Sequence, residues 1–107
     1  MSRIPYGYEV IQLFEQLAPK SLAMEGDRIG LQIGTLNKPV KKVMVALDVL
    51  EDVIAEAVDQ QVDLIIAHHP PLYRPLKQLL TDDGHGRMIA ACVKHDIAVY
   101  AAHTNLD

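Results

Sequence analysis

Residues 42–48 read KVMVALD, residues 63–67 read DLIIA and residues 97–102 read IAVYAA. Each is a short, nearly continuous apolar run, which is how a strand buried on both faces is written. Between the first two runs, residues 50–61 bring Val53, Ile54, Ala57 and Val58 round at helical spacing; between the second and third, residues 84–95 do the same with Met88, Ile89, Cys92 and Val93. Strand, helix, strand, helix, strand predicts three parallel strands joined by right-handed crossovers. The expected class is therefore α/β, a mainly parallel sheet flanked by helices.

Working outward, the two crossovers should lay both helices on one face of the sheet. A helix over residues 8–18, with Val10, Leu13, Phe14 and Leu17 as its packing stripe and Pro19 as its stop, is what remains for the other face. Gly30 and Gly34 frame one more short strand, Leu31, Gln32 and Ile33. Residues 1–107 are thus expected to form a single partial α/β domain with no internal boundary, the front portion of a larger one.

Composition bounds the function. Half of the 107 residues are hydrophobic and 22% are charged, enough apolar content for a core and too little charge for a disordered chain. Ten basic against fourteen acidic residues leave a net charge of −4 without a basic run, so neither nucleic acid nor a membrane surface is the expected partner. No stretch is long or apolar enough for a signal peptide or a bilayer span, and the expected compartment is the cytoplasm. The single cysteine, Cys92, excludes an internal disulfide and a thiolate zinc site; on an apolar helical face it reads as core. Any metal would be held by the five histidines and by carboxylates.

Ligands of open α/β sheets sit outside the carboxyl ends of the strands. Asp48 ends the first run, His68 and His69 follow the second, and His103 and Asp107 follow the third. Neighbouring residues of a regular strand point to opposite faces, so His68 and His69 share a site only where the strand is ending, which Pro70 and Pro71 enforce. His103 and Asp107 stand four apart, a spacing that brings both to one centre if the chain turns helically after the strand. Imidazole and carboxylate together suit Zn, Fe, Mn or Co better than Ca or Mg. Each feature also has an ordinary reading: loop histidines for the first pair, a hydrogen-bonded strand end with a helix cap for the second, and for Asp48 the N-cap of the following helix. His85, in the loop opening the second crossover helix, and His95, near that helix's end, read as structural.

DLIIAHHPPLYRPLK followed by HDIAVYAAHTNLD resembles the paired signature of the Nif-three-like dinuclear metal-centre family, whose members are named GTP cyclohydrolase I type 2 homologues. GDRIGLQIG resembles that family's early motif, with Gly26 standing where many members carry Trp. The resemblance runs the whole length of the chain, against the family's N-terminal portion. It implies an α/β domain with two divalent metal ions in a central cleft, ligands at His68, His69, His103 and Asp107, and a further His and Glu from a longer chain. It also implies a homo-oligomer, in ring-like form up to a hexamer.

Two functions follow as expectations. One is a metal-dependent hydrolase acting on a nucleotide-like or other small anionic substrate through metal-activated water, with Asp48 orienting a ligand or accepting a proton, and Arg74 and Lys77 either anchoring the anion or lying in a solvated loop. The other is a non-catalytic, metal-stabilised interaction or regulatory protein. A plain nucleotide-binding module is disfavoured, because no Gly-rich phosphate loop follows any strand.

Overall fold

The computed structural model describes residues 4–17, 30–68 and 78–101. In chain order these form α1 (Gly7–Leu17), β1 (Gly30–Ile33), β2 (Val43–Ala46), α2 (Glu51–Asp59), β3 (Leu64–Ala67), α3 (Gly84–Lys94) and β4 (Ala98–Ala101). The four strands make one sheet in the order β1-β4-β3-β2. β2, β3 and β4 are parallel, and β1 closes the other side of β4 antiparallel to it.

The two faces divide as the crossovers predict. Ile54 and Ala57 of α2 and Met88, Ile89 and Cys92 of α3 pack with Ile65, Ala67 and Val99 on one face. On the other, Ile11 of α1 packs with Leu64, Ile66, Ala98 and Tyr100, joined by Val10, Phe14, Leu36 and Val40. Phe14 meets the Tyr100 ring edge-on at 6.2 Å between centroids. The apolar stripes were read slightly out of phase. Ile11 is the buried anchor of α1, whereas Leu13 faces solvent, as does Val93 on α3.

Burial of the three parallel strands is unequal. All four residues of β3 and of β4 are buried, because each strand has neighbours on both sides and helices on both faces. β2 is the sheet's outer strand in the described residues, and α1 does not reach across it, so Val45 is 73% exposed. An apolar run thus signalled a strand without guaranteeing burial on both faces.

Both crossovers end in the same device. After α2, Gln61 adopts φ +57° and the amides of Gln61 and Val62 donate to the carbonyls of Val58 and Ala57; after α3, Asp96 adopts φ +53° and those of Asp96 and Ile97 donate to Val93 and Cys92. These are Schellman closures, and their following residues, Val62 and Ile97, are buried against the helix they terminate. Lys38, itself buried, donates its Nζ to the Asp96 carbonyl and lies 3.4 Å from that residue's carboxylate, tying the segment before β2 to the turn before β4. At the end of β1, Gly34 has φ +84° and a Cβ there would stand 3.2 Å from the Ala98 Cα, which accounts for the glycine that frames this strand.

Cys92 is fully buried, and burial pushes its thiol up to about 11 from the usual 9.0. The unfolded chain therefore ionises first, and stability held below pH 9 is lost as pH rises from about 9 towards 11. A thiol reagent at pH 8 is expected to leave Cys92 unlabelled in the folded protein and to label it fully in denaturant. Rapid labelling of the folded protein would contradict this core.

Candidate metal centre

Register decides what the strand ends can present. Ala46 pairs with Ala67, and Ala67 with Ala101, so the carboxyl ends of three parallel strands finish level. The His68 amide donates to the Ala46 carbonyl at 3.0 Å and carries the β2–β3 ladder one residue further. His68 is half-buried immediately beyond β3, and Asp48 is half-buried two residues beyond β2. These two sit on adjacent strand ends, as expected. His69, His103 and Asp107 lie outside the described residues, as do Arg74 and Lys77. Among the described residues no three His, Cys, Asp or Glu side chains gather as a metal group.

The ordinary reading of Asp48 does not hold. The N-cap position of α2 is Leu50, and it makes no side-chain cap. The acidic residues of the first helical turn, Glu51 and Asp52, supply the favourable charge there instead. His95 is exposed and forms the C-cap of α3, at the opposite edge of the sheet from His68. His85 is the second residue of α3 rather than part of a loop, because the cap is supplied earlier, by Asp83, whose carboxylate accepts from the Gly86 amide at 2.7 Å.

Sequence reasoning passed over Arg87. Its Nη2 and Nε reach the two carboxylate oxygens of Glu51 at 3.0 and 3.3 Å, and its Nη1 donates to the Asp82 carbonyl at 2.9 Å. Glu51 holds the Arg87 guanidinium above its ordinary value, first by the hydrogen bond and then by charge. The partners are 36 residues apart, and only the adjacency of α2 and α3 makes them visible. A cavity of about 640 Å³ between α1 and the sheet is lined by Tyr8, Glu15, Leu31 and Tyr100 but by neither Asp48 nor His68.

Residues 6–107 match the family described as Duf34/NIF3 (NGG1p interacting factor 3). The chain belongs to the Duf34/NIF3 family. It is 66% identical over 107 residues to a Bacillus subtilis (strain 168) protein named GTP cyclohydrolase 1 type 2 homolog, covering 100% of this chain and 29% of that one. Among solved structures, a Bacillus cereus protein related to NIF3 superposes with TM-score 0.96 at 58% identity, over 99% of this chain and 29% of that chain. Reduced HcgD from Methanocaldococcus jannaschii superposes with TM-score 0.89 at 40% identity, over 96% and 41%. The chain thus spans under a third of the length of the Bacillus relatives. No helix among the described residues is long and apolar enough to cross a membrane.

A Cβ at Gly86 would collide with the Leu80 carbonyl oxygen, so the residues leading into α3 cross that helix where it has no side chain. Helix propensity alone would favour Ala over Gly by about 1 kcal/mol. Gly86→Ala is nevertheless expected to lower the denaturant midpoint, since backbone has to move; a raised midpoint would show that this crossing is not tight.

Proposed function

We propose that this segment supplies the first part of a two-metal centre in a hydrolase acting on a small anionic, nucleotide-like substrate. The observation that carries the proposal is the level finish of β2, β3 and β4, which sets Ala46, Ala67 and Ala101 side by side, with His68 one residue and Asp48 two residues beyond their strands. One observation supports His68 as a ligand: its backbone is pinned by the ladder, so its ring starts from a fixed point at a half-buried edge. Donors of the expected set are imidazole and carboxylate, consistent with Zn, Fe, Mn or Co. His68, His69, His103 and Asp107 would hold the ions, with the remaining ligands coming from elsewhere in a longer protein.

When bound, a pair of such ions lowers the pKa of a water and offsets negative charge developing on a carbonyl, ring or phosphoryl centre. Asp48 places a carboxylate at the neighbouring strand end, where it orients an imidazole or receives a proton. The relatives' name, GTP cyclohydrolase 1 type 2 homolog, supports the nucleotide-like substrate class. A cytoplasmic setting accords with one buried cysteine kept as a thiol. Self-association into a homo-oligomer belongs to the same proposal, supported by the exposed apolar side of β2.

In the full-length protein, His68→Ala and His103→Ala are each expected to lower bound metal by removing a ligand, while His85→Ala leaves it unchanged. Elemental analysis decides the ligand assignment; equal metal in all three variants rejects it. Turnover of nucleotide substrates by the metal-loaded protein separates hydrolase from metal-stabilised interaction protein. Full metal occupancy without turnover on any nucleotide would favour the latter.

A further inference from the structure

In the ladder with β3, the carbonyls of Lys42 and Ala46 accept from the amides of Leu64 and His68. Lys42, Met44 and Ala46 therefore turn their backbone groups inward, and by alternation Val43 and Val45 turn theirs to the open side, where no strand pairs among the described residues. The same side carries exposed apolar side chains. Val43 is 40% exposed, Val45 73%, and Leu47, the first residue beyond the strand, 62%. An edge strand is ordinarily blunted by a lysine, a proline or a bulge, and residues 43–47 contain none of these. At the opposite edge, β1 is interrupted by its irregular register.

The geometry points to a two-fold contact in which β2 pairs antiparallel with β2 of a second copy of the protein, centred on Val45. This inference rests on the self-association reading above, not on the metal, and names the surface that associates. A two-fold contact presents one strip to itself, so the strip must be its own complement. About Val45 it is: Val43 and Leu47 stand two residues to either side, Lys42 and Asp48 three. Val45 then faces Val45 of the partner subunit, and Val43 faces Leu47 of the partner subunit, with outward backbone groups opposed as an antiparallel ladder requires. Lys42 comes opposite Asp48 of the partner subunit, twice over.

Charge selects this register over its neighbours. A two-fold at Met44 would set Lys41 against Leu47 of the partner subunit, and one at Ala46 would set Asp48 against Met44 of the partner subunit; only the axis at Val45 opposes the two charges of opposite sign. Lys42 donates to the Gln60 carbonyl at 2.8 Å within its own copy, and an ammonium has further protons to give. Asp48 has two carboxylate oxygens, so this contact is compatible with its place at the strand ends.

The test uses the full-length protein, with assembly mass from sedimentation velocity and cross-linking under oxidised glutathione, the wild type serving as control for its own cysteines. Val45→Lys is expected to lower the mass about twofold, since a two-fold contact joins copies in pairs, while Leu13→Lys, an equally exposed change on α1, leaves it unaltered. Val45→Cys is expected to give a cross-linked dimer, because opposed residues of a hydrogen-bonded pair stand about 5.5 Å apart at Cα, within disulfide reach. Val43→Cys alone is expected to give none, the two copies of that position lying roughly 13 Å apart along the strands; mixed with Leu47→Cys protein it cross-links. A wild type that is monomeric overturns the self-association reading and this inference together. A wild type that assembles, with Val45→Lys assembling as well as it does, overturns this inference alone and leaves β2 to be covered by another part of the longer chain. No cross-link from Val45→Cys, or one from Val43→Cys alone, overturns the register whatever the mass.

Discussion

The in-register parallel ladder of β2, β3 and β4 is the constraint on which the rest depends. Parallel strands need long crossovers, so α2 and α3 are obliged to return over the same face, and every carboxyl end points the same way. Register then adds what topology leaves open. Ala46, Ala67 and Ala101 stand side by side, so the three strands end at one level. A shift of one residue in β3 would turn His68 to the opposite face and expose Ile65 in place of Ile66 to the α1 side.

Cover is distributed unevenly around that ladder. β3 and β4 are enclosed by helices and neighbouring strands, and they hold the largest fully buried side chains, Tyr100, Leu64, Ile65 and Val99 among them. β1 protects the far side of β4 by pairing antiparallel to it, with an irregular register at Gln32 that lets Leu31 meet Tyr100 and Ile33 meet Val99. β2 lacks such protection in the described residues. Its Val43 and Val45 share a face with Leu64 and Ile66 but look out past α1. The rigid part of the sheet is thus its middle, where His68 emerges.

Much of this was legible in the sequence. The three apolar runs and the two helical stretches between them are local signals, and each became the expected element with ends displaced by only one or two residues. The role of α1 as cover for the second face was legible too, by elimination. Pairing was not: nothing in Leu31, Gln32 and Ile33 states that β1 lies beside β4 and runs against it. Nor was the exposure of Val45, because an apolar run records composition and not which neighbours arrive. At the candidate site, the places of Asp48 and His68 followed from strand ends alone. The capping role weighed for Asp48 failed because α2 starts two residues later than a cap there requires. Arg87 and Glu51 escaped notice for the reason that hides most tertiary pairs: each is an ordinary charge on a helix until the helices are placed side by side.

The level strand ends carry the central proposal, that His68 ligates a metal at the edge built on the ladder. Anomalous diffraction at the zinc absorption edge, from crystals of the full-length protein grown with zinc, addresses that claim directly. The account predicts a peak about 2.0–2.1 Å from an imidazole nitrogen of His68, beyond the carboxyl end of β3. A zinc peak at His85 or His95 with none at His68 would contradict it.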